Sequence, residues 1–310
     1  MRILVTGAAG YLGSILVPAL LGQGNEVIAL DTYSRNDTAL ASLCANSYFD
    51  PVRGDARNED LVKRLVAKAD VIIPLAALVG APACKQDPIN ATTTNLDAIL
   101  MLLRHMSRQQ FLVYPTTNSG YGIGQKDILC TEQTPLNPIS LYGRTKVDAE
   151  RAILDNGNGI TLRLATVFGM APRMRIDLLV NDFTYRAVTD RALVVFEGEA
   201  KRNYIHVRDV TKAFLHAIKN YAIMNANAYN VGLSSANLSK FELCAEIKKY
   251  VPAFVWQTAP IGEDPDKRDY IVSNRKFENT NWSPNHTLEM GIQELIRGYR
   301  MIRNERFSNV

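Results

Sequence analysis

The chain has 310 residues, 47% of them hydrophobic, and a formal net charge of +4 from 35 Lys+Arg against 31 Asp+Glu. That length can bury a large core and suits one big α/β domain with a smaller appended lobe. The charge is spread without basic blocks, which argues against nucleic acid, and no stretch is long and apolar enough to span a bilayer.

In chain order, Arg2-Ile3-Leu4-Val5 is a short apolar run suited to a buried parallel strand. Thr6-Gly7-Ala8-Ala9-Gly10-Tyr11-Leu12-Gly13 follows and opens onto Ser14 to Leu21, an apolar helix over that strand. The glycines permit a tight turn, close pyrophosphate approach and helix–strand contact, and the helix N-terminus offers amides to phosphate. The next strand, Glu26-Val27-Ile28-Ala29-Leu30, ends in Asp31, placed to accept both ribose hydroxyls and to repel a 2′-phosphate. NAD rather than NADP is therefore expected; Arg35, four residues on, pulls the other way. The glycines and Thr6 interrupt the N-terminal apolar run, so a signal peptide is not expected and a soluble, cytoplasmic protein is.

Further strand-like runs are Val71 to Leu78, Phe111 to Thr117 and Ile160 to Val167, separated by helical spacing over Thr92–Met106 and Ser140–Leu154. Alternating β and α elements predict a Rossmann-type, doubly wound parallel sheet that binds ligands beyond its carboxyl ends. After Gly169 the rhythm breaks. Pro172-Arg173-Met174-Arg175 reads as a loop, Asp177–Val188 as a helix, Ala192–Phe196 as a strand and Asp209–Ile218 as a helix returning to the sheet. Ala236–Tyr250 is a helix starting near Asn237 or Ser239, Pro260–Arg268 a polar loop, and Leu288–Ile302 an amphipathic helix. The expected division is an NAD-binding domain over 1–170, rejoined by 205–222, and an interleaved substrate lobe over 171–204 and 223–310.

Two further sets of residues have simple expected roles. Cys44, Cys84, Cys130 and Cys244 form no Cys-x-x-Cys pair, so reduced thiols are expected rather than disulfides or zinc. His105, His206, His216 and His286 lack ligand spacing, no metal is expected, and His206 reads as a hydrogen-bonded structural residue.

The chemistry is carried by Tyr142-Gly143-Arg144-Thr145-Lys146, with Thr117 lying 25 residues before Tyr142. A tyrosine and lysine four apart stack on one helical face. An ammonium there favours phenolate, so Lys146 is expected to pull Tyr142 below the usual phenol pKa of about 10. The phenol could then take a hydroxyl proton while hydride leaves the same carbon.

Taken together these motifs resemble the extended short-chain dehydrogenase/reductase family, the nucleotide-sugar epimerases and dehydratases, over essentially the whole chain. The resemblance implies Gly7, Gly10 and Gly13 for the phosphate turn with Tyr11 and Leu12 inside it, and Asp55 with Ala56 for adenine. Leu75-Ala76-Ala77 would lie beside the cofactor, Asn95 would be the asparagine of the following helix, and Thr117, Tyr142 and Lys146 the catalytic set. Tyr142 would be base for the C4 hydroxyl, Lys146 would hold the nicotinamide ribose, and Thr117 would hydrogen-bond the same oxygen. Arg202, in Arg202-Asn203-Tyr204-Ile205-His206, and Arg268, ending Glu263-Asp264-Pro265-Asp266-Lys267-Arg268, would grip the diphosphate. Val79, Asn118 and Ser119 would face the sugar. Dehydratases of the family carry Asp-Glu after the threonine, and its sugar-acid decarboxylases carry a glutamate two residues after it. Asn118 and Ser119 stand there, so dehydration and decarboxylation are disfavoured.

What remains is oxidation at C4, ending either in a released ketone or in 4-epimerisation. The wording of Pro115–Gly124, Ala76–Pro82 and Arg173–Phe183 resembles the capsule-pathway members that oxidise a GDP-linked heptose, and the family implies a homodimer through the helices at 92–106 and 140–154. Cys84, on the loop expected to face the sugar, reads first as a small buried hydrophobe and second as a proton donor. A catalytically idle NAD-binding sensor or scaffold is the alternative from another class; it has no need of Thr117, Tyr142 and Lys146 together.

Overall fold

The computed structural model describes residues 1–34, 38–259 and 268–302; Arg35 and residues 263–267 of the expected diphosphate loop lie outside them. Seven strands form one sheet: β1 (Arg2–Thr6), β2 (Glu26–Asp31), β3 (Phe49–Arg53), β4 (Val71–Pro74), β5 (Phe111–Thr117), β6 (Gly159–Leu164) and β7 (Asn227–Val231). Their order is β7-β6-β5-β4-β1-β2-β3 and every pairing is parallel. The order turns back across β1 and β4, and their carboxyl ends open the crevice where such sheets bind ligands.

The sheet is buried on both faces, which is why its strands read as apolar runs and not as alternating ones. Leu16, Val17 and Leu20 of the first helix and Ala213, Phe214 and Ala217 of the helix Val207–Lys219 cover one face. Val62, Leu65, Ile99, Leu102, Ala149 and Ile153 cover the other. The helix Leu141–Asn156 starts where Ser140 Oγ accepts the Gly143 N–H at 3.0 Å and stops at Gly157, whose φ of +83° is left-handed.

The smaller lobe has its own core, built around Phe168, Val180, Phe183, Leu243 and Phe254. Its three-stranded sheet places Lys201–His206 between Thr166–Phe168, parallel, and Asn237–Ser239, antiparallel. Three expectations change here. The run Ile160–Val167 is two strands: after Leu164 the chain passes from the large sheet to the small one. The helix expected from Ala236 begins at Lys240, because 237–239 pair as a strand and Ser239 with Glu242 forms a capping box. Residues 227–231, assigned to the substrate lobe by sequence, are an edge strand of the large sheet.

Elsewhere, the helix expected over 92–106 is interrupted by a π-turn at Thr93–Asp97. His206 is fully buried, with Nε2 3.1 Å from Glu294 Oε2 and its ring stacked on His286. Cys84, Cys130 and Cys244 are buried free thiols and Cys44 is exposed. Among the described residues no helix is long and apolar enough to cross a membrane.

Candidate active site

A cavity of about 820 Å³ runs from the carboxyl ends of β1, β2 and β5 into the smaller lobe. At one end the first glycine turn leaves no room for side chains. Gly7 has φ +69°, and a Cβ there would sit 2.5 Å from the Ala76 nitrogen; at Gly13 it would sit 2.2 Å from the Ala8 oxygen. Backbone thus meets backbone, and the space in front of the helix N-terminus stays open for an anion. Asp31 closes β2 beside it: Oδ2 accepts the Ala9 N–H at 2.9 Å and Oδ1 the Tyr33 N–H at 2.8 Å. That carboxylate holds the glycine turn and faces the same cavity.

Gly7, Gly10, Tyr11, Leu12, Gly13, Asp31, Asp55, Ala56, Leu75, Ala76 and Ala77 all line the cavity, as do Val79, Thr117, Ser119, Tyr142, Lys146, Arg202 and Arg268. Two expected residues are absent from the wall. Asn95 is buried behind it, where Oδ1 accepts the Leu78 N–H at 2.8 Å and Nδ2 donates to the Leu78 carbonyl at 2.9 Å. It therefore shapes the loop bearing Leu78 and Val79 and does not line the cofactor's space. Asn118 is buried too, and neither of its side-chain polar atoms has a partner among the described residues. Cys84 also stays behind the wall, fully buried, with Sγ 3.2 Å from the Leu78 carbonyl; burial pushes its thiol up to about 11. That is the small-hydrophobe role, and it leaves no thiol facing a sugar.

Tyr142 and Lys146 project from successive turns of the helix capped by Ser140 and meet Thr117 at the end of β5. The expected electrostatics are reversed. Burial is the largest influence on both groups and pushes the Tyr142 phenol up to about 12 and the Lys146 ammonium down to about 7. A lysine near its own midpoint exerts little pull, and its Nζ lies 3.8 Å from the centre of the Tyr114 ring. The groups that do favour the Tyr142 phenolate are Arg175, Arg268 and Thr117. One turn beyond Lys146, Glu150 forms a buried ion pair with Arg163 at 2.7 Å, fixing this helix to β6.

The other end of the cavity is cationic. Arg173, Arg175, Arg202, Arg268 and Lys240 line it, and the first three are at most 8% exposed. Arg175 is held by Asp177 and, through its carbonyl, by Asn181 Nδ2 at 2.8 Å. Arg202 lies over the Tyr270 ring. Sequence reading placed Arg173 and Arg175 on a loop without a site role; two arginines flanking one methionine after a strand end were the available signal. Asp55 sits at the opposite rim of the cavity, where hydrogen bonds from Arg57 hold its carboxyl below the usual range.

This is a doubly wound fold with a tyrosine–lysine pair between a glycine turn and a cluster of arginines. The sequence model of the NAD dependent epimerase/dehydratase family matches residues 3–232. The chain belongs to that family: it is an NAD-dependent enzyme of the short-chain dehydrogenase/reductase type. It is 30% identical to the low-salt glycan biosynthesis protein Agl12 of Haloferax volcanii, across 96% of this chain and 98% of that protein. It is 27% identical to a UDP-glucose 4-epimerase of Lactobacillus helveticus, across 92% and 93% of the two chains. Among solved structures, UDP-glucuronic acid 4-epimerase from Bacillus cereus superposes with a TM-score of 0.83 at 23% identity, covering 97% of this chain and 99% of that one.

The cavity fits NAD on its own terms: a cradle that any Cβ would fill, a carboxylate at the end of β2 and open space before a helix N-terminus.

Proposed function

We propose that this enzyme oxidises C4 of a nucleotide-activated sugar, with a GDP-linked heptose as substrate and a released 4-keto sugar as product, in capsule or surface polysaccharide synthesis. The observation that carries C4 oxidation is the meeting of Thr117, Tyr142 and Lys146 in one wall, between a dinucleotide cradle and buried arginines. In its phenolate form Tyr142 takes the hydroxyl proton on Oη and becomes the phenol, while the C–H electron pair leaves as hydride and the C–O bond becomes a carbonyl. NAD, when bound, accepts that hydride.

Gly7, Gly10, Tyr11, Leu12 and Gly13 would hold the cofactor's pyrophosphate, Asp31 a ribose, Asp55 and Ala56 the adenine, and Leu75–Ala77 the cofactor's flank. Lys146 would hold the other ribose. Arg202 and Arg268 grip the substrate diphosphate, with Val79 and Ser119 beside the sugar. The GDP and heptose assignments rest on the wording of the segments at 76–82, 115–124 and 173–183. A cytoplasmic homodimer through the helices at 92–106 and 140–154 completes the reading, on family resemblance.

A second outcome has a specific support. The relatives include 4-epimerases, so return of hydride to the opposite face of the ketone is the alternative. Decarboxylases are also among them, including UDP-glucuronic acid decarboxylase 1 of Arabidopsis thaliana at 28% identity; Ser119 here replaces the glutamate their chemistry is expected to use. Mass spectrometry of a panel of UDP-, dTDP-, CDP- and GDP-sugars, GDP-heptose included, separates the outcomes. Loss of two hydrogens means dehydrogenation, and an unchanged mass at a new retention time means epimerisation. Tyr142→Phe is expected to lower turnover about 10³-fold while NAD binding persists; unchanged turnover would remove Tyr142 as the base.

A further inference from the structure

A second cavity, of about 650 Å³, adjoins the first and shares Leu179, Asp182 and Lys240 with it. Its walls come from the helix Leu179–Thr189 and from the strand Ala192–Val195, which pairs in parallel with Val255–Thr258. Side chains alternate along that strand. Leu193 and Val195 enter the lobe's core, while Val194 and Phe196 stay 56% and 38% exposed and line the cavity. Lys240 Nζ donates to the Phe196 carbonyl at 2.7 Å, fixing the end of the strand where the two cavities meet.

The helix contributes an ion pair to this second cavity. Arg186 Nε donates to Asp182 Oδ1 at 2.9 Å, one helical turn away. Asp182 Oδ2 and the Arg186 Nη groups make no hydrogen bond among the described residues. A sugar beside Tyr142 sets its diphosphate between Arg202 and Arg268. Its nucleoside then lies beyond them, where the first cavity passes Asp182 and Lys240 into the second.

An apolar face of this kind suits the flat side of a base, and the ion pair selects which base. The pair offers a donor, from Arg186, next to two carboxylate acceptors. Guanine carries the complement on one edge: the O6 acceptor beside the N1–H and N2–H donors. Uracil and thymine flank a single N–H with two carbonyls, so one carbonyl oxygen meets a carboxylate oxygen. Cytosine presents the reverse order, and adenine turns the N1 lone pair to the carboxylate. Each mismatch leaves acceptor against acceptor in a partly desolvated site.

We propose that Asp182, held by Arg186, determines nucleotide specificity by accepting the N1–H and N2–H of a guanine base seated in the second cavity. The inference rests on the nucleotide-sugar reading of the first cavity. It reaches a guanine nucleotide from hydrogen-bond chemistry, separately from the wording of any segment. Both bonds are charge-assisted, so losing either one is expected to be measurable in affinity.

The test is calorimetric binding of GDP, IDP and UDP to the NAD-loaded enzyme; IDP differs from GDP only in lacking the 2-amino group. The wild-type enzyme is expected to bind GDP at least about tenfold more tightly than either IDP or UDP. Asp182→Asn, which keeps the shape and loses one acceptor, is expected to weaken GDP about tenfold or more and to leave UDP within about threefold. Its GDP-to-IDP ratio should fall toward one. Arg186→Gln is expected to weaken GDP and IDP alike, because both carry O6. Equal binding of GDP and IDP by the wild-type enzyme overturns the proposal, and that comparison decides the matter if Asp182→Asn does not fold. An equal loss of GDP and UDP in Asp182→Asn also overturns it, since a merely structural role would weaken both. Tighter binding of UDP than of GDP overturns the guanine assignment and leaves C4 oxidation standing, because turnover is read separately through Tyr142→Phe.

Discussion

The two ends of the cavity are built from different materials. At the glycine-turn end the walls are main chain: Gly7 against Ala76, Gly13 against Ala8, and one carboxylate, Asp31, tying the turn to its strand. At the arginine end the walls are long side chains, and the buried arginines are fixed by neighbours, Arg175 by Asp177 and Arg202 over Tyr270. A backbone wall cannot be re-cut by point substitution without shifting the sheet. A wall of guanidinium groups is re-aimed by changing one partner. One fold can therefore hold one end of its cavity fixed while the other varies.

Substitutions at each end sharpen that contrast. The largest effect is expected from Gly13→Ala, whose new Cβ collides with the Ala8 carbonyl. NAD affinity by calorimetry should fall at least about 100-fold, roughly 3 kcal/mol; a change under threefold would mean the turn yields and the contrast is wrong. Arg202→Ala acts at the other end. Losing one charge-assisted contact is expected to raise the KM for the sugar nucleotide about 10- to 30-fold, with NAD affinity unchanged. If NAD binding falls equally, the ends are not separable.

The smallest effect concerns the seam between them. Lys146 is held near 7 by burial, against 10.5 in its ordinary state. Between those values the unfolded chain binds the proton and the folded chain does not, so stability rises with pH from about 7 upward. Lys146→Met should remove that rise and gain roughly 1–3 kcal/mol at pH 7, seen as a Tm higher by a few degrees with turnover lost. A Tm that still climbs between pH 7 and 10 in the variant would assign the slope to other groups.

What could be read from the sequence divides along the same line. The glycine turn, Asp31 and the Tyr142–Lys146 spacing were legible because local geometry constrains those residue types, and Thr117 was reached through the family resemblance. Arg173 and Arg175 were not, since the sequence does not say which arginines of a loop will be buried. Nor was the reversed ionisation of Tyr142 and Lys146: helical spacing predicts their proximity, but desolvation depends on the whole wall. Asn95, matched to the family's structural asparagine and grouped with the cofactor residues, holds Leu78 by two hydrogen bonds from behind the cavity wall. The strand Asn227–Val231 was missed because Ala-Tyr-Asn-Val beside polar neighbours carries a weak apolar signal, and partners 67 positions earlier, such as Ile160 with Asn227, supply its pairing.

The strand that leaves the large sheet at Leu164 and enters the small one at Thr166 has a consequence for engineering. The lobes share this run of backbone, and the chain returns from the small lobe to lay down β7 on the outer edge of the large sheet. Specificity cannot be transplanted by one cut and one splice. A graft would have to exchange two separate inserts, one before the helix at 207–219 and one after β7, while leaving the shared run as the host's own.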